Sequence, residues 1–302
     1  MTYTVEQINN SAELNAEEFI LSEEERYHNE LRKLAAVIKN DENSRIIMLA
    51  GPSGSGKTTS AALLGGYLTE LGVPTQIISL DDFYLEWENQ PKNADGSPDF
   101  ESVYALDIEE INRCFKQLII NEQSLMPIYD FKRACRAEER KNISIKGGGA
   151  VIIEGLHALN PILYKSIPRE KVFKIYISVS SEVYDDECEV IAGGRIRFLR
   201  RLLRDETHRN ATTERTLELW KKVMHGEAKY LVPFKNSADY RIDTFHAYEI
   251  GVYKERAEKM LSTVSRSSAY YEFSRRVLEG VKKFGGVPAS LVPQNSLLRE
   301  FI

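Results

Sequence analysis

The chain has 302 residues, with 40 lysines and arginines against 45 aspartates and glutamates, a formal charge of −5. That length suffices for one large domain or two small ones with ample core. The acidic balance argues against a dedicated nucleic-acid binder, and no uninterrupted apolar run approaches membrane-spanning length. The opening MTYTVEQINNSAELNAEEF is polar and acidic, unlike a signal or transit peptide. Cys114, Cys135 and Cys188 lie far apart, outside any C-x-x-C spacing, which suits inert thiols in a reducing cytoplasm.

Residues 14 to 39 are charged but carry Leu31, Leu34, Ala35 and Ile38 at helical spacing, which predicts a helix leading into a first strand. That strand is the apolar run Ile46 to Ala50. It ends in GPSGSGKTT, residues 51 to 59, which fits G-x-x-x-x-G-K-[ST] with Gly51, Gly56, Lys57 and Thr58, Gly54 adding a further turn position. Glycines let the backbone turn so that its N–H groups converge on an anion, and the helix opening near Lys57 points its positive end there. Lys57 suits the β and γ oxygens of a nucleoside triphosphate, and the Thr58 hydroxyl suits Mg²⁺. Pro52, Ser53, Ser55 and Thr59 complete the expected cradle.

Ala61, Leu64, Leu68 and Leu71 form the next helical face, closed by Gly72 and Pro74. TQIISL, residues 75 to 80, predicts a second strand that stops at Asp81-Asp82. The polar stretch 86 to 100 predicts a loop. Ile108, Ile111, Phe115, Leu118 and Ile119 mark a helix. AVIIEG at 150 to 155, VFKIYISV at 172 to 179 and ADYRID at 238 to 243 predict three more strands. Residues 195 to 230 read as helical, and two further helices follow, the second with Phe273, Val277, Val281 and Phe284 on one face. Strands alternating with helices imply a five-stranded parallel sheet covered on both faces, with ligands at the strand carboxyl ends.

Functional groups are therefore expected just after strands. Asp81 and Asp82 follow the second strand, where a carboxylate can take a proton from an attacking hydroxyl or ligate a metal. Glu154 ends the third strand, in the position of an acidic metal ligand. In RIRFLRRLLRDETHR, residues 195 to 209, Arg197, Arg200 or Arg201, and Arg204 share a helical face while the apolar residues take another. Such a helix could close over a transferring phosphoryl group as a mobile lid; RNA binding is the rival use of the same charges. Neither the N-K-x-D nor the D-x-x-G of a GTP switch occurs. A small-molecule kinase thus leads an ATPase or a nucleotide-sensing module.

Taken together, GPSGSGKTT, SLDDFY, PIYDF at 127 to 131, VIIEGLHALNP and RFLRRLLRD resemble, in order, the uridine kinase and phosphoribulokinase family of P-loop kinases. The similarity runs from about residue 45 to about 245, and PQNSLLREFI extends it. The whole chain is similar to the kinase half of a longer bacterial type, whose N-terminal region resembling parts of threonyl-tRNA synthetase is not visible here. The resemblance implies an α/β P-loop kinase using ATP and Mg²⁺, with a leading helical extension at 1–44, a core at 45–245 and helices of the same domain at 246–302. It implies Asp81 as catalytic base and metal neighbour, with Lys57, Arg201 and Arg204 acting on the phosphoryl group and Thr58 and Glu154 on the metal. Arg200 is implied to bind the nucleotide, and Tyr84, Glu101, Tyr129, Phe131 and Arg197 the acceptor. That acceptor is a small hydroxyl compound, uridine or cytidine first and a sugar phosphate next, with no nucleic acid or membrane partner and with room for a homo-oligomer. Three departures stand out: Ala134 where animal uridine-cytidine kinases have a base-reading histidine, Asn210 where a glycine is common, and Gly193-Gly194-Arg195 in place of Asp-Thr-Arg.

Overall fold

A computed structural model describes residues 2–41, 43–93 and 95–302; Met1 and Glu42 of the leading segment and Ala94 of the expected loop lie outside it. In chain order the strands are β1 (Thr2–Thr4), β2 (Ile46–Ala50), β3 (Thr75–Ser79), β4 (Gln123–Met126), β5 (Tyr129–Asp130) and β6 (Cys135–Arg136). After them come β7 (Lys141–Ser144), β8 (Ala150–Glu154), β9 (Val172–Ser178), β10 (Glu182–Asp185), β11 (Cys188–Ile191) and β12 (Tyr240–Asp243). The helices are α1 (Val5–Asn40), α2 (Lys57–Glu70), α3 (Ile108–Asn121), α4 (Gly193–Arg209), α5 (Thr213–Tyr230), α6 (Glu249–Ser262) and α7 (Tyr271–Lys282).

The central sheet has the order β12-β9-β2-β8-β3 and every pairing in it is parallel. Its strands are short apolar runs because both faces are covered. In β2 the side chains alternate, with Ile47 and Leu49 entering one core and Ile46, Met48 and Ala50 the other. The first core is roofed by α1, α2, α4, α6 and α7, the second by α3 and the chain around it. Since β2, β3 and β8 run the same way, the glycine loop, Asp81 and Glu154 emerge at one edge of the sheet.

Helix α1 begins earlier than the periodicity predicts. Thr4 and Gln7 form a capping box, and Asn15 (φ −160°, ψ 91°) breaks the helical path. The segment expected as one helix over 195 to 230 is two, α4 and α5. Asn210 takes a left-handed conformation (φ 49°) at the end of α4, and Thr212 caps α5. A left-handed position tolerates asparagine almost as it does glycine, so the departure at 210 keeps the same bend. Three features lay outside the sequence reading: the sheet β1-β10-β11 and the antiparallel pairs β4-β7 and β5-β6. Among the described residues no helix is long and apolar enough to cross a membrane.

Helix α1 supports the helix that carries Lys57. Leu31 and Leu34 are fully buried, and the Tyr27 hydroxyl lies 2.7 Å from Ser60 Oγ, which donates to Gly56 O at 2.6 Å. Leu31→Ala is expected to lower stability by about 2–5 kcal/mol, read as an earlier denaturant midpoint with unchanged helical circular dichroism in buffer.

Candidate active site

The glycine loop and the strand ends face a cleft of about 400 Å³, open to solvent on one side. Gly54 (φ 73°) and Gly56 (φ 79°) supply the left-handed turns that point the loop amides inward. Lys57 begins α2, and its Nζ reaches back to Pro52 O at 3.3 Å. Lys57, Thr58, Asp81, Tyr84, Glu101 and Glu154 all line the cleft, as do Ser53, Gly54 and Gly56 of the loop.

Helix α4 lies against the loop, and its arginines divide into two sets. Arg201 and Arg204 line the cleft, joined by Arg209 at the helix end. Arg201 donates to Ser53 Oγ at 3.1 Å and to Asp205, which also holds Arg209 at 3.1 Å. Arg200 turns the other way and is fully buried. Its five N–H donors are all used, on Glu249 (2.7 and 2.8 Å), Thr244 O and Oγ1, and Gly54 O. Arg200, expected to bind the nucleotide, thus has every donor occupied and braces the loop from behind. Arg197, expected at the acceptor, pairs with Glu227 (2.9 and 3.0 Å), donates to Ser53 O at 2.9 Å and stacks on Trp220, which places it against the loop.

The two aspartates after β3 also separate. Asp82 accepts from the Tyr129 N–H at 3.2 Å, which fixes the β5-β6 hairpin. Asp81 is solvent-accessible but sits deep in the cleft, where surrounding protein raises its pKa; Lys57 opposes that rise and Asp82 adds to it. Glu154, at the end of β8, is buried and shifted upward for the same reason, with Lys57 opposing and Asp81 adding. One hydroxyl and two carboxylates, Thr58, Asp81 and Glu154, thus line the same cleft. Among the described residues no group of three or more His, Cys, Asp or Glu could hold a metal on its own. Few hard oxygen donors beside a phosphate cradle fit Mg²⁺, which keeps waters and takes ligands from its substrate.

On the acceptor side Tyr84 donates to Phe100 O at 3.2 Å and meets the edges of Phe100, Tyr129 and Phe131. Tyr129 is buried and Phe131 exposed; both touch Tyr84 without lining the cleft. Ala134 stands in the turn of this hairpin at φ 52° and offers only a methyl group. Burial lifts Glu101 to about 7, against the pull of Arg201 and with a push from Glu227. His157, buried and lowered to about 4 by its burial, is neutral, and its Nδ1 has no partner among the described residues.

Glu227, Arg209, His157 and Glu300 also line the cleft and were missed as site residues. Glu227 Oε1 accepts from the Ser53 N–H at 2.7 Å. His157, Arg209 and Glu300 lie within stretches already singled out, VIIEGLHALNP, RIRFLRRLLRDETHR and PQNSLLREFI, while Glu227 lies in none.

The model of the Phosphoribulokinase / Uridine kinase family matches residues 46–250. A uridine kinase of Saccharomyces cerevisiae is 30% identical over 198 residues, covering 64% of this chain and 36% of the yeast protein. A uridine kinase of Borrelia duttonii is 30% identical over 202 residues, covering 65% of this chain and 84% of its own. The solved structure of a possible uridine kinase from Bacillus stearothermophilus aligns with a TM-score of 0.40 at 19% identity, over 67% of this chain and 89% of that one.

The division of the arginines has a direct consequence for stability. Arg200→Met leaves the fully buried Glu249 unpaired and is expected to cost about 3–5 kcal/mol. Arg204→Gln, at a part-exposed pair, should cost no more than about 1 kcal/mol. Thermal unfolding of the two variants side by side measures the contrast.

Proposed function

The chain belongs to the phosphoribulokinase and uridine kinase family, and from that premise we propose that it transfers the γ-phosphate of ATP to a hydroxyl of a small acceptor, a nucleoside such as uridine or cytidine. The observation that carries this reading is the shared cleft, which the glycine loop with Lys57 and the carboxylate Asp81 line together. The loop amides, Lys57 and Thr59 would hold the nucleotide's phosphates. Arg201 and Arg204 would meet charge that develops on the phosphoryl group. Mg²⁺, held near Thr58, Asp81 and Glu154, would supply charge neutralisation of the phosphates.

Asp81 would accept the proton of the attacking hydroxyl, and its raised pKa makes it a better base than an ordinary aspartate. Tyr84 and Glu101 would position the acceptor, with Tyr129 and Phe131 behind Tyr84 as its aromatic backing. Glu101 offers an acceptor hydroxyl a hydrogen-bond partner, while Glu227 is already taken by Arg197 and the Ser53 N–H. Ala134 supplies no hydrogen bond to a pyrimidine, so the base, unlike the ribose, has few polar partners in view.

An acceptor panel of nucleosides, sugar phosphates and small polyols, read by ADP release and product mass, tests the proposal. A chain that binds ATP but phosphorylates nothing in that panel is a nucleotide-binding regulator instead. Lys57→Ala should abolish turnover and sharply weaken ATP binding by calorimetry. Asp81→Asn should lower kcat by roughly 10²–10⁴ with ATP binding largely kept; a larger loss from Asp82→Asn would reverse the two roles.

A pH profile isolates Glu101. Acceptor hydroxyls donate to the ionised carboxylate, so kcat/KM for the acceptor should fall as pH drops through about 7, where Glu101 takes up a proton. Glu101→Gln should remove that limb, and a limb that persists in the variant belongs to another group.

A further inference from the structure

The family match ends at residue 250, yet one wall of the phosphate cleft comes from beyond it. After α7 the chain returns to the glycine loop. Leu297, Leu298 and Phe301 are buried, and Leu297 fills the space where a side chain on Gly56 would stand. The guanidinium groups of Arg200 and Arg204 lie 5.3 and 6.0 Å from the centre of the Phe301 ring. This packing sets Glu300 at the cleft. Its Oε2 accepts from Thr59 Oγ1 at 3.0 Å, and its Oε1 from Arg204 Nη1 at 2.9 Å. Thr59 stands in the first turn of α2, where free amides and the positive helix end favour an anion. A carboxylate held by a guanidinium and a first-turn hydroxyl has the surroundings that suit a phosphate oxygen. Glu300 is only partly exposed, with 21% of its side chain open to solvent, but that side faces the cleft.

We propose that Glu300 is an internal competitor for the nucleotide's phosphate. It occupies Arg204 and Thr59 until a nucleotide takes them, and the segment 296–302 loosens in exchange. The inference rests on the nucleotide reading of the loop. Two anions cannot share one pair of donors without repulsion, so a phosphate bound to Arg204 and Thr59 displaces the carboxylate and removes one tie of a segment that Leu297, Leu298 and Phe301 also hold. Nucleotide occupancy is thereby coupled to a stretch of chain outside the family match.

The full chain and its Glu300→Gln variant are titrated with ATP by calorimetry, once with EDTA and once with Mg²⁺. Glutamine keeps the shape and one acceptor but removes the charge, so the ATP Kd should fall roughly three- to tenfold in both buffers. Equal or weaker binding by the folded variant overturns the proposal, because Glu300 would then orient the donors instead of competing for them. Amide hydrogen exchange on the unsubstituted protein provides a second measurement that does not depend on the variant. Exchange in 296–302 should quicken when ATP is added, and unchanged or slower exchange there overturns the proposal. An unsubstituted chain that unfolds cooperatively but binds no ATP in either buffer overturns the nucleotide reading itself.

Discussion

A loop that turns its amides toward an anion must turn its carbonyls away, and buried carbonyls need donors. In this protein those donors come from three directions. Arg197 serves Ser53 O and Arg200 serves Gly54 O, while Ser60, at the first turns of α2, serves Gly56 O. The arginines are themselves held by Glu227 and Glu249, from α5 and α6. The glycine loop is therefore the surface of a polar network whose roots lie in helices more than a hundred residues further along the chain. Preorganisation of the phosphate cradle depends on that network being complete.

The same network explains how one helix can carry so many arginines without becoming an exposed basic face. Helix α4 buries Ile196, Phe198, Leu199, Leu202 and Leu203 in the core and seals Arg200 among them. A buried guanidinium is tolerable only because every donor is met. Arg201, Arg204 and Arg209 face a cleft that also carries Asp81, Glu101, Glu154 and Glu227. The cleft is thus not uniformly positive.

The strand ends give the acceptor side its order. Asp81 and Asp82 are neighbours, yet one faces the cleft and the other ties the aromatic hairpin through the Tyr129 N–H. Tyr84 then joins that hairpin to Phe100 and the 3-10 turn that carries the two aspartates. Asp81, the aromatic hairpin and the chain before Glu101 are so linked by a few hydrogen bonds and ring edges that a shift in one would move the others.

Much of this was legible from the amino-acid order. Strands such as IIMLA and AVIIE are continuous apolar runs because both faces are buried, and that alone places the glycine loop, Asp81 and Glu154 at one edge of a parallel sheet. The phosphate cradle was legible because its residues are contiguous and its geometry is local. The small sheet around β1 was not, since a short strand is defined by its partner, and β10 lies far along the chain. Nor was the sorting of the arginines. Neighbouring residues on a helix point about 100° apart, so Arg200 and Arg201 diverge, but which of them meets the core depends on Glu249 and the loop carbonyls. Glu227 lies in no motif, and Glu300 lies in a C-terminal stretch whose spacing gives no sign that it meets the loop. Sequence by itself determined the glycine loop and the strands that aim it; tertiary structure decided which charges line the cleft and which are locked into the scaffold, because ion pairs are set by distance in space and not by spacing along the chain.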